Sequence, residues 1–398
     1  MTMLLALALG LAPPAAEDLL GDLEVDVDHD RVQELPPFRI ALLRAGMGDV
    51  ADRVHEILRN DLLAFGRFVI IDHDESFTAT RLDGVVTAVI EPFVDDTHVV
   101  TALVRIGAQE HALEARVVGP TGTALGGHRL ADEVVGVFTG RPAAFSAPLA
   151  IVRTEERTRR AYRIDIDGGD ELLLSRADAV VSTVAFTPTG KPAWAASVAN
   201  GTFDPIGAGA RARLHPRGSV YGLAWSADGT RSAAAIAQGN RVRIWIGDGE
   251  LTHLEPISDV EIGLGPVFLT DNRVAWAGTR RNRRRVWVDR HAVSPVGIDA
   301  SAPTFCDHPT GPRLVWVEHV GRGTRLVVAD VDGRHRRELP TRAVRVGSPT
   351  CAVDGRMVAY VVTEGAAPGL WIANLDRWRP RRMSAQIGDS LRWSPRRR

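Results

Sequence analysis

From about residue 148 onward, short apolar runs alternate with turns rich in Pro, Asp, Asn or Gly. Several stretches share one pattern, in which an apolar strand, a turn and a second apolar strand follow one another; the last copy holds only the first strand. These stretches begin at Ser182, Tyr221, Gly265, Ala302, Ser348 and Ser390. Each complete unit adds two more strand-like runs, so four short strands recur about every 40 residues. This recurrence is typical of the blades of a β-propeller.

Counting the strands predicts how the ring closes. Residues 149–175 supply a second, a third and a fourth strand but no first strand, and the chain ends in a first strand at Ser390 with no successor. Joining the two ends completes one blade, which together with the five blades between them makes six. A seventh blade would need another repeat of about 40 residues, and none remains. The prediction is a six-bladed β-propeller over residues 148–398, closed by the C-terminal strand without an open sheet edge.

The preceding residues mix helical and strand periods. Apolar residues recur at three- and four-residue steps from Val50 to Phe65, which predicts an amphipathic helix. A second helix is predicted at about 129–138. Strands are predicted at Phe38–Leu43, Arg67–Asp72, Gly84–Ile90, His98–Ile106 and His111–Val118. Helices packed on a mixed sheet form a small α/β domain over residues 36–147. The predicted fold class is therefore a two-domain α+β and all-β chain.

The first 35 residues predict an exported chain with an acidic arm. Residues 1–16 contain a short apolar core and resemble a secretory signal peptide, although no Lys or Arg precedes the core. A frayed N-terminus without export is the alternative. The arm, residues 17–35, begins with a stretch too acidic to fold alone. In it Leu23, Val25 and Val27 alternate with acidic residues, a pattern that suits strand addition to a partner sheet; a solvated linker is the alternative.

Composition excludes several classes of protein. The 398 residues hold 48 Lys and Arg against 49 Asp and Glu, so the near-zero net charge argues against a nucleic-acid-coating protein. No apolar run reaches the roughly 20 residues that span a bilayer, and the chain is predicted not to cross a membrane. All nine Trp follow residue 190. Eight of them occupy predicted blade strands and Trp378 a predicted turn, because large aromatic side chains pack between blades.

The two cysteines, Cys306 and Cys351, lie on predicted first strands of neighbouring blades. Cys351 aligns with Phe305 rather than with Cys306, so the two side chains should point to opposite strand faces. We therefore predict two buried free thiols. A disulfide, as an oxidising compartment would allow, is the alternative.

Catalytic motifs are missing from the sequence. It has no G-x-S-x-G, no H-E-x-x-H and no Walker loop, so we predict no enzyme activity, no metal and no cofactor. The alternative is an exported six-bladed hydrolase or lyase with a metal in the central channel. Such a site needs carboxylates and His on inner strands, whereas His215, His253, His308 and His319 are predicted to be surface residues. The arginine loop 280–285 and the tail 396–398 are predicted to be solvated; the loop's alternative role is to bind phosphate, acidic lipid or an acidic protein.

The stretch His128–Val152 resembles the junction between the two domains of the TolB family, with its pattern H-R-I-x-D-x-V-x-x-x-L-T-G-x-x-G-A-F. The matching residues are His128, Asp132, Val134, Thr139, Gly140, Ala144 and Phe145. Phe138 stands where the family has Leu, and Ala143 where it has the second Gly. The order of export signal, short arm, α/β domain, six-bladed propeller and final W-S-P strand is also similar.

The resemblance implies a non-enzymatic periplasmic adaptor of the Tol–Pal envelope system that supports outer-membrane integrity and constriction at cell division. In this family the propeller binds the peptidoglycan-associated lipoprotein Pal at the mouth of the central channel, and the N-terminal arm binds TolA. Other outer-membrane lipoproteins or porins are further expected partners, and the chain is expected to be a monomer. The TolA contacts would be Leu23, Val25 and Val27. The Pal-facing positions, in loops that lead into first strands, would be Ser182, Ser219, Tyr221, Glu261, Asp299, Ser301, Arg345 and Asp389.

Overall fold

The computed structural model describes residues 34–71, 82–156, 158–198, 201–207 and 217–398. The predicted signal peptide and nearly all of the arm, including Leu23, Val25 and Val27, lie outside the described residues.

A mixed sheet and two helices form the N-terminal part of the described chain. Its strands are β1 (Phe38–Ala45), β2 (Phe68–Ile71), β3 (Gly84–Pro92), β4 (His98–Ile106), β5 (Gln109–Ala112) and β6 (Arg116–Val118), and its helices are α1 (Asp49–Ala64) and α2 (Thr123–Thr139), with a 3₁₀ turn at Pro120–Gly122. The strand order is β2-β1-β3-β4-β5, and β6 also pairs with β4. β1 pairs in parallel with β2 and β3, and the other pairs are antiparallel. The predicted mixed sheet with two helices is confirmed.

Helix α2 begins at Thr123, earlier than the sequence predicts. The sequence does not predict its first turns, because Gly126 and Gly127 lie there and glycine has low helix propensity. A Cβ on Gly126 would lie 2.7 Å from Val118, and one on Gly127 would lie 2.8 Å from Ile57. The glycines therefore allow α2 to pack closely on β6 and α1.

The remaining strands form smaller sheets in a propeller-like arrangement. They are β7 (Leu149–Glu155), β8 (Thr158–Ile164), β9 (Leu172–Leu173), β10 (Ala179–Phe186), β11 (Pro192–Val198), β12 (Asp204–Ile206), β13 (Ser219–Trp225), β14 (Arg231–Gln238), β15 (Arg241–Asp248), β16 (Glu255–Pro256), β17 (Ile262–Phe268), β18 (Val274–Arg280), β19 (Arg283–Val288), β20 (His291–Ala292), β21 (Asp299–Cys306), β22 (Arg313–Val320), β23 (Gly323–Asp330), β24 (Arg337–Leu339), β25 (Ala343–Cys351), β26 (Met357–Gly365), β27 (Gly369–Asn374), β28 (Arg377–Ser384) and β29 (Asp389–Trp393).

Most of these strands pair in short antiparallel sheets. Three sheets hold four strands each, β21–β24, β25–β28 and β29-β7-β8-β9, and a fourth holds β10–β12. An eight-stranded sheet contains β13–β20, in which one parallel residue pair, Val242 with Ile262, joins β15 to β17. The last strand of the chain thus completes the sheet of β7–β9, as the sequence predicts.

The strands β10, β13, β17, β21, β25 and β29, hereafter the first strands, contact one another in succession. β29 in turn contacts β10, so the succession is closed. Apolar clusters fill the spaces between neighbouring sheets, and Trp316 and Tyr360 are fully buried in them. Trp378, predicted in a turn, lies in β28, where its ring stacks on Tyr360 with centroids 6.1 Å apart.

A disulfide joins Cys306 and Cys351, whose Cα atoms are 5.3 Å apart. The prediction of free thiols is therefore wrong. The two cysteines do lie on opposite faces of equivalent strands, since Cys351 pairs with Val358 and Cys306 shares its face with Val315. In stacked sheets, however, the facing surfaces are the opposite faces of the two sheets. Both cysteines consequently contact the same apolar cluster as Val315 and Val358.

The tail of residues 396–398 is bound rather than solvated. Arg397 donates to the carbonyl oxygen of Pro142 at 2.8 Å, in the segment that follows α2. Arg398 donates to the carboxylate of Asp170 at 2.7 Å and also pairs with the buried Asp165. The tail therefore bridges the segment after α2 and the turn after β8, because it offers donors to carbonyls on one side and carboxylates on the other.

Candidate partner-binding site

Every first strand carries a register irregularity. The irregularities fall at Val181/Thr183, Val220/Gly222, Leu264/Val267, Ser301/Thr304, Gly347/Thr350 and Asp389/Arg392. At four of them a residue has positive φ, namely Gly265, Ala302, Ser348 and Ser390. A β-bulge bends its strand and redirects side chains, and bulges concentrate next to functional sites. We call the beginnings of the first strands, together with the hairpin ends beside them, the mouth.

The eight sequence-predicted Pal-facing residues all lie at the mouth, seven of them on strands rather than in loops. Seven belong to first strands: Ser182, Ser219, Tyr221, Asp299, Ser301, Arg345 and Asp389; Glu261 directly precedes β17. The bulges explain the difference. Pairing continues across each bulge, so a strand begins before the point at which its apolar alternation becomes regular.

Two of these residues contribute to contacts between neighbouring sheets, Ser182 directly and Asp389 through Arg159 of its own sheet. The Ser182 hydroxyl, on β10, donates to the carbonyl of Val220 on β13 at 2.7 Å. The Asp389 carboxylate, on β29, accepts hydrogen bonds from both terminal nitrogens of Arg159, at 2.9 and 2.8 Å. Arg159 also donates through Nε to the carbonyl of Val181 on β10. These side chains therefore hold adjacent first strands together, and a bidentate arginine–carboxylate pair fixes the geometry where β29 meets β10.

Two acidic residues of the set bind the backbone of the β18–β19 hairpin. The Glu261 carboxylate accepts a hydrogen bond from the backbone N–H of Arg281 at 3.3 Å. The Asp299 carboxylate accepts one from the backbone N–H of Arg284 at 3.1 Å. The hairpin turns through Arg281 and Asn282, both with positive φ, as a two-residue hairpin loop requires. The arginine loop is thus a short, anchored turn.

The side chains of this arginine hairpin point mostly into solvent. Arg280, Arg281, Arg283 and Arg284 are exposed, whereas Arg285 donates to a backbone carbonyl. Four exposed guanidinium groups on one turn produce a positive potential, which favours an acidic partner at this part of the mouth.

The mouth also carries a histidine and a surface ion pair. Ser301 Oγ lies 2.8 Å from His319 Nε2, and Arg345 pairs with Glu364 at 3.0 Å. Partial desolvation lowers the pKa of His319, and the positive charge of Arg284 acts in the same direction. The imidazole is therefore neutral at neutral pH and hydrogen-bonds to the serine.

An exposed apolar rim, which sequence reasoning missed apart from Tyr221, surrounds these polar groups. Its members all lie at or near the strand ends that form the mouth, and they are Tyr221, Ile262, Leu264, Val320, Val344 and Ile387. Tyr221 is 40% exposed, and its ring lies 5.5 Å from that of Phe203, whose backbone N–H donates to Ser219. Exposed apolar groups gathered at one site mark a surface that another molecule covers. No signal in the sequence distinguishes these residues from the other apolar residues of strands.

The residues that carry the family resemblance are structural. Asp132, buried on α2, accepts hydrogen bonds from the backbone N–H of Phe145 at 2.6 Å and from the backbone and hydroxyl of Ser146. Burial raises its pKa to about 7. His128 Nδ1 lies 2.7 Å from the carboxylate of Asp61 on α1. The motif therefore fixes α1, α2 and the segment that enters β7.

The histidines differ from prediction at one position. His308 is buried and its Nε2 lies 3.0 Å from Asp376, so the prediction of a surface residue is wrong there. His253 and His319 are exposed, and His215 lies outside the described residues. Within the described ranges no group of three or more His, Cys, Asp or Glu is placed to hold a metal ion. In the same part of the chain, no helix combines the length and apolar character needed to cross a membrane.

Comparisons with known proteins agree with this architecture. No family model matches the chain. The Tol-Pal system protein TolB of Anaeromyxobacter dehalogenans is 26% identical over 230 residues, which is 50% of this chain and 51% of that protein. The protein of the same name from Hahella chejuensis is 40% identical over 52 residues, or 13% of this chain and 12% of that protein. The chain spans about half the length of its most extensive curated matches.

The fold is shared more widely than the sequence. The crystal structure of TolB from Acinetobacter baumannii superposes with a TM-score of 0.68 and covers 91% of this chain and 97% of that one, at 19% identity. The predicted resemblance to the TolB family is confirmed, in sequence over about half of the chain and in fold over most of it.

Proposed function

We propose that this chain is the TolB component of a Tol–Pal system and acts as a monomeric, non-enzymatic adaptor between two partners. Its mouth binds the lipoprotein Pal, and its arm, residues 17–35, binds TolA. The observation that carries the proposal is the mouth itself, where an exposed apolar rim surrounds polar groups held in fixed geometry. The similarity to TolB in sequence and fold supports the choice of partners.

The proposal includes two domains, an α/β domain over residues 36–147 and a six-bladed propeller over 148–398. The closed succession of first strands supports six blades. On this reading the eight-stranded sheet is two blades, β13–β16 and β17–β20, that share only the pair Val242 and Ile262. The three-stranded sheet β10–β12 is, on the same reading, a further blade.

The proposed location is the periplasm, with residues 1–16 removed on export. The Cys306–Cys351 disulfide supports this location, because disulfides persist in oxidising compartments and are rare in the cytosol. There the adaptor would link an outer-membrane lipoprotein to the inner-membrane complex and support envelope integrity and constriction at division.

The contact with Pal is expected to concentrate on the apolar rim. Interface energy resides in a few buried apolar and aromatic residues near the centre, with polar groups around them. Tyr221 and Ile262 are the best candidates, because they are 40% and 41% exposed on neighbouring first strands. The arginine hairpin beside them would contribute charge complementarity and speed of association.

Isothermal titration with the Pal homologue of the same organism tests this site. We expect Tyr221→Ala and Ile262→Asp each to weaken binding at least about 10-fold, which is about 1.4 kcal/mol. Val117→Asp is the matched control, since Val117 is 57% exposed on β6 outside the mouth. Equal loss in all three variants, or no binding by the wild type at tens of micromolar, would refute the Pal site.

The arm is tested separately by deleting residues 17–35 from the exported chain. TolA binding should be lost, whereas Pal binding and the unfolding midpoint should stay unchanged. If TolA still binds, the arm is not its site, although the Pal result stands on its own.

A further inference from the structure

A cleft lies between the β13–β16 and β17–β20 groups, beside the arginine hairpin. It has a volume of about 380 Å³, within the range of small-molecule sites. Its lining includes Arg243, Asp259, Trp276, Arg280, Trp287 and Arg290. With the proposed Pal and TolA contacts the cleft shares only Arg280, which also belongs to the arginine hairpin.

The aromatic wall of the cleft is a pair of stacked indoles. Trp276 and Trp287 are register partners on β18 and β19, and their rings lie 5.5 Å apart with planes 10° from parallel. Gly278 makes the stack possible, because a Cβ there would collide with the Trp276 ring and lie 3.0 Å from Trp287 Nε1. Trp276 is fully buried, whereas Trp287 is half-buried. Trp287 therefore presents a rigid aromatic surface to the cleft.

The charge in the cleft is not balanced. None of the guanidinium groups of Arg243, Arg280 and Arg290 has a hydrogen-bond or ion-pair partner among the described residues. Asp259 is the one acidic residue in the lining, and it pairs with none of them. Like charges brought together without counter-charges repel one another. Several other arginines of the ring surface do have carboxylate partners, such as Arg313 with Asp330.

We propose that this cleft binds an organic dianion that carries a ring, either a phosphate monoester or a dicarboxylate. Guanidinium groups bind phosphate and carboxylate oxygens in bidentate geometry. A planar ring would lie against the Trp287 indole, where it buries apolar surface at little conformational cost. The ligand would supply the counter-charge that the protein does not provide for Arg243, Arg280 and Arg290.

Titration calorimetry on the full chain, with phenyl phosphate and phthalate as separate arms and benzyl alcohol as the uncharged control, tests the proposal. We expect one or both dianions to bind at submillimolar concentration and benzyl alcohol not to bind. The arm that binds more tightly identifies the anionic group that the cleft accepts. Failure of both dianions to bind at millimolar concentration would overturn the proposal, and so would equally tight binding of benzyl alcohol.

Variants separate the cleft from the general positive potential of the hairpin. Arg280→Gln and Arg290→Gln should each weaken dianion binding at least about 10-fold, the scale of one charged hydrogen-bond pair. Arg283→Gln is the matched control. Arg283 lies opposite Arg280 in the backbone register of the same hairpin but does not line the cleft. Its effect should stay within about 2-fold. Equal losses in Arg280→Gln and Arg283→Gln would mean diffuse attraction and no built site; unchanged unfolding midpoints verify that the variants are folded.

Discussion

The Cys306–Cys351 disulfide makes the most quantitative prediction. Its cysteines are 45 residues apart in sequence. Closing a loop of that length lowers the entropy of the unfolded chain by about 13.5 cal/mol/K, which stabilises the fold by about 4 kcal/mol at 25 °C. For a ring of this size, about 2 °C per kcal/mol gives a fall in melting temperature of about 8 °C when the bond is absent.

Guanidinium unfolding of three samples measures this effect. The oxidised chain is compared with the chemically reduced chain and with the double variant Cys306→Ala/Cys351→Ala. The reduced chain isolates the bond, because both sulfur atoms remain in place. The double variant also removes buried atoms at Cys306, which is fully buried, and should unfold at a still lower midpoint.

Intact mass with and without thiol alkylation establishes the bond itself. The oxidised chain should gain no alkyl group until it is reduced and should then gain two. Two alkylated thiols in the untreated, exported chain would refute the disulfide. Equal unfolding midpoints for oxidised and reduced chains would refute the loop-entropy reasoning while leaving the bond in place.

Three further predictions concern buried carboxylates. Burial raises the pKa of Asp132 to about 7, so the folded chain keeps a proton that the unfolded chain releases near pH 4. The unfolding free energy should therefore fall as pH rises from about 4 to about 7. Asp132→Asn should flatten this slope in urea titrations. Glu318 is fully buried against two arginines, and Glu318→Gln should cost about 3 kcal/mol, whereas the exposed Glu338→Gln should cost less than about 1 kcal/mol. Arg398→Ala leaves the buried Asp165 without its cation and should cost about 1–3 kcal/mol.

Each of these predictions has a result that contradicts it. An Asp132→Asn chain with the wild-type pH slope would assign the titration to another group. Equal costs for Glu318→Gln and Glu338→Gln would mean that burial does not decide the strength of the pairs. An Arg398→Ala chain as stable as the wild type would mean that the tail contacts contribute nothing to the folded state.

The repeat pattern predicts the propeller-like part well, because each strand must bury one apolar face and the turns between strands need specific residues. The closing strand β29 follows from counting alone. Contacts between elements are harder to predict. The sequence correctly predicts that Cys306 and Cys351 point to opposite strand faces, but which faces meet depends on how the sheets stack. The tail to Arg398 was missed because its acceptors, Pro142 and Asp170, are far away in sequence.

The sequence predicts which strand beginnings come together at the mouth, but not the contacts that their side chains make. The sequence places Ser182 and Asp389 at strand beginnings, but the partner of Ser182 lies on the neighbouring sheet and that of Asp389 on β8, 230 residues away along the chain. The exposed apolar rim looks like ordinary strand sequence, since Ile262 and Val344 continue the apolar alternation of their strands. Only the bulges, which depend on register, direct them outward.

The pairing of β29 with β7 also determines when folding can finish. The strands that complete this sheet come from opposite ends of the repeat region, and bringing such distant segments together is slow. Until β29 has been synthesised, the edge of β7 stays unpaired and can template pairing with another chain. The closing strand therefore sets a kinetic checkpoint, because the ring can mature only after its last residues have emerged.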